Sequence, residues 1–374
     1  MHSMRVLSRG LVALMSLALV ACGILVSAAD DGPVVPDRAD ASNAEDGTSG
    51  DGTHDSSAVL DAGPDACAAG PATCTPELIT KLDAAALRLV VAGNNLYVAK
   101  SGAKKSVWRL AKTPLGAVAN LDPRPEVPEE VANDSDLVLD SGGDLYWGTP
   151  NGLRRHDSTA GPDPSTDAGL TSLAELGAPV SALRLSGARL YYAVRGPAGG
   201  AMANTGHIAS CALPGCSDVQ VSGYMPYPSD FVLIGNARWW MGTDSSLQNL
   251  ALRTNGGVYG DNPPQQTPSR MTTDGQRIYW STADGLRAFT VSPPALQTLV
   301  VTGAANRIRG VILDADGTLY VTQDAALKSC KPAGGACTLT ELAKGPGTAV
   351  DVAVDSTFAY WATDEGSIFR LRKR

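Results

Sequence analysis

The stretch LVLDSGGDLYW, from Leu137 to Trp147, contains the pattern that decides the fold. An apolar strand is followed by a turn rich in aspartate and glycine, and then by a strand carrying two adjacent aromatic residues. Seven copies occur, and the first residues of their central pairs lie 40 to 49 positions apart. The copies are Leu87–Val98, Leu137–Trp147, Leu183–Tyr192, Phe231–Trp240, Met271–Trp280, Val311–Val321 and Val352–Trp361.

This repeat length, with short strands and frequent turn signals, is typical of the blades of a β-propeller. Seven copies predict an all-β chain with seven four-stranded antiparallel blades. The count becomes six or eight if the divergent fourth copy, around Trp239, is misread. The central pairs, such as Tyr146-Trp147, are expected to point to opposite sheet faces and to contact different neighbouring blades.

The last copy ends after its third strand, so its blade lacks an outermost strand. The segment Glu77–Leu82 follows a Cys-Thr pair at Cys74, as a similar segment follows Cys337 in the preceding unit. We therefore predict that Glu77–Leu82 pairs with Ile368–Leu371 and closes the ring. Closure of this kind removes exposed sheet edges.

The N-terminus has the charged-then-apolar order of a secretory leader, with Arg5 and Arg9 before an uncharged run. Within that run, the sequence LVAC ending at Cys22 resembles the lipobox of bacterial lipoproteins. This resemblance implies a leader over 1–21 and a lipid anchor on Cys22. Cleavage after Val26-Ser27-Ala28, which would release a soluble secreted protein, and an uncleaved membrane anchor remain alternatives.

The negative charge of the chain is concentrated before the repeats. The net charge is −8, yet residues 30–66 contain ten acidic residues against one arginine. Few large apolar residues occur there, so 22–66 is expected to be an acidic disordered tether, followed by the propeller over 67–374. The propeller has no basic excess, which argues against a nucleic-acid partner. We expect a monomer that meets the membrane only through its lipid anchor.

Six further cysteines form local pairs, each around a turn containing glycine or proline. In an exported protein such pairs are expected to form disulfides. Zinc is the alternative, but the spacing differs from the usual CxxC, so we expect no metal site. The pairs are Cys67/Cys74, Cys211/Cys216 and Cys330/Cys337.

Catalytic signals are sparse. The sequence has no G-x-S-x-G, H-E-x-x-H or phosphate-loop motif, and nothing in it indicates a cofactor. Beyond the leader and tether, only His156 and His207 could act as a base, and no acid or nucleophile partner can be assigned to either. The acidic turn at Asp314 lacks the last ligand of a calcium loop and is explained by turn chemistry.

The third copy departs from the others, because the turn after its aromatic strand expands to the segment from Arg195 to Gly206. In a four-stranded meander, second-to-third and fourth-to-first connections emerge on one face. We call this the insertion face, and we expect the long segments 113–136 and 158–179 to share it. Arg195, Asn204 and His207 are the candidate ligand-binding residues on this face.

Copies such as Tyr360-Trp361-Ala-Thr-Asp364 resemble the YWTD repeats of receptor propellers and the related TolB-like and NHL-like groups. The similarity covers 77–374 at the level of the repeat, although YWTD rings usually have six blades. It implies the fold and a bias toward binding proteins or glycans. The expected function is a non-enzymatic binding or scaffolding module at the bacterial cell envelope. A propeller-type lyase or hydrolase acting on a sugar or lactone is the alternative.

Overall fold

The computed structural model describes residues 75–100, 106–113, 118–120, 136–159, 170–196, 206–225, 228–243, 250–254, 257–259, 270–282, 284–302, 307–333 and 335–373. The leader with Cys22, the tether, the pair Cys67/Cys74 and Asn204 lie outside these ranges. Across the described ranges, no helix is long and apolar enough to cross a membrane.

The described chain forms seven antiparallel sheets of four strands, and six of them use four consecutive strands. In chain order, blade 1 contains β2 (Ala86–Ala92), β3 (Asn95–Lys100), β4 (Ser106–Ala111) and β5 (Val118–Asn120); blade 2 contains β6 (Leu137–Leu139), β7 (Leu145–Gly148), β8 (Gly152–His156) and β9 (Leu170–Glu175); blade 3 contains β10 (Val180–Ser186), β11 (Arg189–Val194), β12 (Gly206–Ala212) and β13 (Ser217–Met225); blade 4 contains β14 (Pro228–Ile234), β15 (Ala237–Thr243), β16 (Leu250–Thr254) and β17 (Gly257–Tyr259); blade 5 contains β18 (Met271–Thr273), β19 (Arg277–Thr282), β20 (Gly285–Thr290) and β21 (Ala295–Val301); blade 6 contains β22 (Ile308–Leu313), β23 (Leu319–Gln323), β24 (Ala326–Cys330) and β25 (Thr340–Lys344); blade 7 contains β26 (Ala349–Val354), β27 (Phe358–Thr363), β28 (Ser367–Arg372) and β1 (Glu77–Lys81).

The blades form a closed ring. The first strand of each blade contacts the first strand of the next, and β26 of blade 7 returns to β2 of blade 1. The predicted all-β, seven-bladed propeller is therefore confirmed.

The predicted closing strand is also confirmed. β1 pairs antiparallel with β28, from Glu77 opposite Arg370 to Lys81 opposite Ser367. Only Ile79 of this strand is buried, and Leu82 continues the contact by donating its main-chain N–H to the oxygen of Gly366 at 2.9 Å. The outermost strand of the last blade thus comes from the other end of the propeller.

The aromatic pairs join neighbouring blades, as their alternation along the strand predicts. Tyr146 packs into the cluster around Leu183 and Leu190 of blade 3, whereas Trp147 packs with Tyr97 and Val107 of blade 1. Blades 5 and 7 follow the same rule, with tyrosine toward the following blade and tryptophan toward the preceding one. The core therefore lies between the blades.

The two faces of the ring are set by strand direction. β11 and β12 are the second and third strands of blade 3, so β11 ends and β12 begins at the insertion face, as expected for the strands that flank the inserted segment. The expectations for 113–136 and 158–179 are wrong in part, because each segment contains a fourth strand, β5 at Val118–Asn120 and β9 at Leu170–Glu175. β4 and β8 therefore end, and β5 and β9 begin, at the opposite face, whereas the described residues 176–179 lie at the insertion face.

Two of the predicted disulfides are formed, Cys211–Cys216 and Cys330–Cys337. Each joins the end of a third strand to the start of the fourth strand, on the face opposite the insertion. They close short hairpins in blades 3 and 6.

Candidate functional site at the insertion face

Charged residues gather where the first strands begin, at the insertion-face end of the ring. In each blade, the second residue of the central pair lies opposite a residue of the first strand. We call the residue just before that first-strand partner the ring position; in blade 2, Trp147 lies opposite Leu137, so the ring position is Asp136. Five of the seven ring positions hold a charged residue. In the order of blades 1 to 7, the seven ring positions are Arg88, Asp136, Ala182, Asp230, Arg270, Gly310 and Asp351.

Four of these charges, together with Arg184 of blade 3, form one ionic cluster. Arg184 contacts the carboxylate of Asp136 on one side and donates to Asp230 at 2.7 Å on the other. Arg270 donates to Asp136 at 2.5 Å and to Asp351 at 3.0 Å. Main-chain N–H groups also donate hydrogen bonds to these carboxylates; that of Met271 donates to Asp230 at 2.7 Å.

The cluster lies across the centre of the ring. Arg270 belongs to blade 5, whereas its partners belong to blades 2 and 7, which are not neighbours of blade 5. Side chains of non-adjacent blades can meet only across the central space. The three carboxylate side chains are 2 to 6% exposed, so the cluster obstructs the channel at this level.

Burial and pairing oppose each other in the cluster. Burial alone would raise the pKa of Asp136, but Arg270 and Arg184 outweigh it and hold that pKa well below its usual range. Burial raises the pKa of Asp230, with the neighbouring Asp136 adding to the effect. The paired carboxylates raise the pKa of Arg270, although burial opposes them. The cluster therefore behaves as one coupled unit of opposite charges.

The candidate ligand-binding residues lie beside the inserted segment in blade 3. Arg195 directly follows β11, and its main-chain N–H donates to the oxygen of Pro179 at 2.9 Å. His207 lies in β12 opposite Val194, so Arg195 and His207 occupy the same end of blade 3. Both side chains are half-buried.

His156 lies elsewhere. It ends β8 on the face opposite the insertion and is 8% exposed. Burial lowers the pKa of His156, and the nearby Arg109 lowers it further. The two histidines considered as possible bases therefore belong to different faces and form no common site.

The chemistry of the cluster is that of a closed set of ion pairs. Asp136 and Asp351 already accept hydrogen bonds from Arg270, and Asp136 and Asp230 from Arg184, so each carboxylate is occupied by a guanidinium. Among the residues that the structure describes, no group of three or more His, Cys, Asp or Glu side chains is arranged to hold a metal ion. The cluster thus obstructs the channel at the insertion face, and Arg195 and His207 lie at the same face in blade 3.

Sequence reasoning did not identify this cluster, although part of its signal was present. A charged residue stands directly before four of the seven copies, and in the first copy Arg88 is the second residue. Arg184 is the exception, because it lies two positions after the ring position of its blade. Pairing across the channel joins residues far apart in sequence, up to 134 positions for Arg270 and Asp136.

No protein-family model matches this chain, and no curated protein matches it. Solved structures are similar in fold. The WD40 β-propeller domain of Doa1 superposes with a TM-score of 0.58 at 11% identity, over 80% of this chain and 97% of that chain. Virginiamycin B lyase from Staphylococcus aureus gives 0.59 at 14% identity, over 80% and 99%. The extracellular domain of a protein described as a hybrid two-component system from B. thetaiotaomicron gives 0.58 at 12% identity, over 79% and 39%. These similarities identify the fold as a β-propeller, in agreement with the repeat pattern.

Proposed function

We propose that this chain is an exported, membrane-anchored β-propeller that acts as a non-enzymatic binding or scaffolding module at the bacterial cell envelope. Its ligand is a protein or a glycan, bound at the insertion face around Arg195, Asn204 and His207.

The direction of β1 is the observation that carries the proposal. As a fourth strand, β1 runs toward the insertion face, where 82–85 connect it to β2. The chain that precedes Glu77 therefore joins the propeller at the opposite face. The end of β1 at which the chain enters the propeller is thus opposite to Arg195 and His207, which supports a ligand site at the insertion face.

Two further observations support export and binding. The disulfides Cys211–Cys216 and Cys330–Cys337 are typical of proteins that fold in an oxidising compartment. The ionic cluster obstructs the channel, so a ligand at this face would contact the surrounding connections. Loops held by a rigid scaffold are common binding elements.

A lyase or hydrolase acting on a sugar or lactone is the second candidate. It is favoured by the similarity in fold to a lyase, virginiamycin B lyase, and it would use His207 or His156 as the base. The two candidates differ in what happens to the bound molecule, because a binding module leaves it unchanged.

The test uses the purified full chain, screened against a glycan array and against solubilised bacterial envelope proteins. Three variants are compared with it: deletion of 197–205, deletion of the equally long segment 161–169 on the opposite face as a matched control, and His207→Ala. We expect the first deletion to abolish retention and the control deletion to leave it intact, with no change in the retained molecule.

Retention that survives deletion of 197–205 would contradict the proposed binding face. Conversion of a sugar or lactone that is lost in His207→Ala would replace the binding module with the enzyme.

A further inference from the structure

The ring closes at the seam between blades 7 and 1, where the two ends of the propeller meet. On the outside, β1 pairs with β28. On the inside, the main-chain N–H of Leu89 in blade 1 donates to the carboxylate of Asp351 in blade 7, at 2.9 Å. The seam therefore has an inner contact that does not involve β1.

The inner contact depends on a residue from across the channel. Arg270 of blade 5 holds the carboxylate of Asp351 through Nη2 at 3.0 Å and through Nε at 3.4 Å. Its Nη1 is in turn fixed by Asp136 of blade 2 at 2.5 Å. Arg270 therefore links the carboxylate at the seam to the opposite side of the ring.

The backbone of blade 6 approaches Asp351 closely at Gly310. A Cβ at Gly310 would lie 3.0 Å from the Cα of Asp351 and 2.9 Å from the hydroxyl oxygen of Thr322. The contact with Thr322 is shorter than real Cβ atoms show, and the contact with Asp351 is tighter than most, so the glycine allows blades 6 and 7 to approach closely here. The backbone of Asp351 is thus packed against blade 6 while its side chain faces Arg270 and Leu89.

From these contacts we infer that Arg270 is a cross-channel clamp, which keeps the inner seam between blades 7 and 1 closed independently of β1. Without this guanidinium, the buried carboxylates of Asp136 and Asp351 lose their shared partner. Asp136 keeps its contact with Arg184, whereas Asp351 loses this guanidinium. A buried carboxylate that loses its cation attracts water or protons, which weakens the hold of Asp351 on the amide of Leu89.

Hydrogen–deuterium exchange of the full chain tests this clamp. The readout is the exchange rate of the peptide covering β2, divided by that of the peptide covering β19, so that a general loss of stability cancels. In Arg270→Met we expect this ratio to rise by about tenfold, the effect of losing one hydrogen bond to a charged group.

Arg287→Met is the matched control, because Arg287 lies in the same blade and its contacts with Asp284 and with the main-chain oxygen of Val300 stay within that blade. We expect it to leave the ratio unchanged.

If Arg270→Met does not fold, Asp136→Asn provides the same test, since it removes the far anchor of Arg270. An unchanged ratio in Arg270→Met or, in that case, in Asp136→Asn would overturn the clamp. So would an equal rise in Arg287→Met.

Discussion

The aspartate in the first turn of blades 2, 5 and 7 organises both the turn and the strand that follows. In blade 7, Asp355 accepts the main-chain N–H groups of Thr357 and Phe358, both at 2.8 Å. Its other oxygen accepts the hydroxyl of Tyr360 at 2.8 Å. The same tyrosine contact recurs at 3.0 Å in blades 2 and 5. One residue thus fixes the hairpin and the tyrosine that packs against the next blade.

Removing the hydroxyl of Tyr360 should show how much its hydrogen bond to Asp355 stabilises the fold. We expect Tyr360→Phe to lower the free energy of unfolding by about 1.5 kcal/mol, because its hydrogen bond goes to a charged carboxylate. Tyr97→Phe is the control, since the turn of blade 1 contains Gly93-Asn94 and supplies no carboxylate. Urea denaturation measures both, and equal losses would show that the contact contributes little.

The pH dependence of stability should report Asp355. Burial alone would raise its pKa, but hydrogen bonds from Lys112 and from the amides of Phe358 and Thr357 outweigh burial and lower the pKa to about 2. Its contribution is therefore complete above about pH 4 and is lost as the pH falls toward 2.

We expect Asp355→Asn to be less stable than the wild type at pH 7, by on the order of 1 kcal/mol after screening by solvent. This difference should shrink as the pH falls from about 4 to about 2. Glu365→Gln, the same loss of charge at an exposed site of the same blade, should show no such dependence. A constant difference across this range would exclude Asp355 as the titrating group.

At the residue scale, the sequence predicted local chemistry well. Turn aspartates such as Asp140 and Asp355 act on amides within a few positions, so their role follows from spacing. Arg270 was missed because its partners are set by closure of the ring. The separation of His156 from His207 likewise required knowledge of which end of each strand meets which face.

Among the elements, β1 joins the N-terminal end of the propeller to its C-terminal strand, β28. It completes blade 7 through five residues, and Ile79 alone among them is fully buried, at 1% exposure. We expect Ile79→Ala to lower the free energy of unfolding by about 3 kcal/mol, through lost burial and the cavity left behind.

Leu78→Ala is the control on the same strand, because Leu78 is 45% exposed and should cost less than about 0.5 kcal/mol. Thermal unfolding of both variants provides the comparison. Equal effects would mean that β1 does not close the ring through its buried face.

At the scale of elements, hairpins were predicted more reliably than connections. A glycine or aspartate turn between two apolar runs defines a hairpin locally. The fourth strand of blade 2, Leu170–Glu175, carries no such signal, so 158–179 was interpreted as one connection and assigned to the wrong face. Outer strands pack on one side only, and their sequence pattern is correspondingly weaker.

For the molecule as a whole, the number of blades followed from the repeat, because each copy builds one blade. Attachment to a membrane is a separate question that depends on Cys22. We expect the full chain, expressed in a bacterium, to incorporate labelled palmitate and the Cys22→Ser variant to incorporate none. Labelling that persists in Cys22→Ser would contradict a lipid anchor on Cys22 and leave soluble secretion or an uncleaved membrane anchor as the alternatives.

Function could be predicted least, because the fold hosts many activities and the ionic cluster is satisfied by its own charges. The sequence located the insertion at Arg195 because an expanded turn stands out against six regular copies. It gave no information on the channel, whose obstruction depends on charges from blades 2, 3, 4, 5 and 7 meeting at the centre.

The most direct test of the account is hydrogen–deuterium exchange of the wild-type chain with and without the glycan or envelope protein that it retains. We predict slower exchange, on ligand addition, of peptides at the insertion face, above all those containing Arg195 and His207. Turns on the opposite face, such as 140–144 and 355–358, should exchange unchanged. Protection confined to those opposite turns would contradict binding at the insertion face.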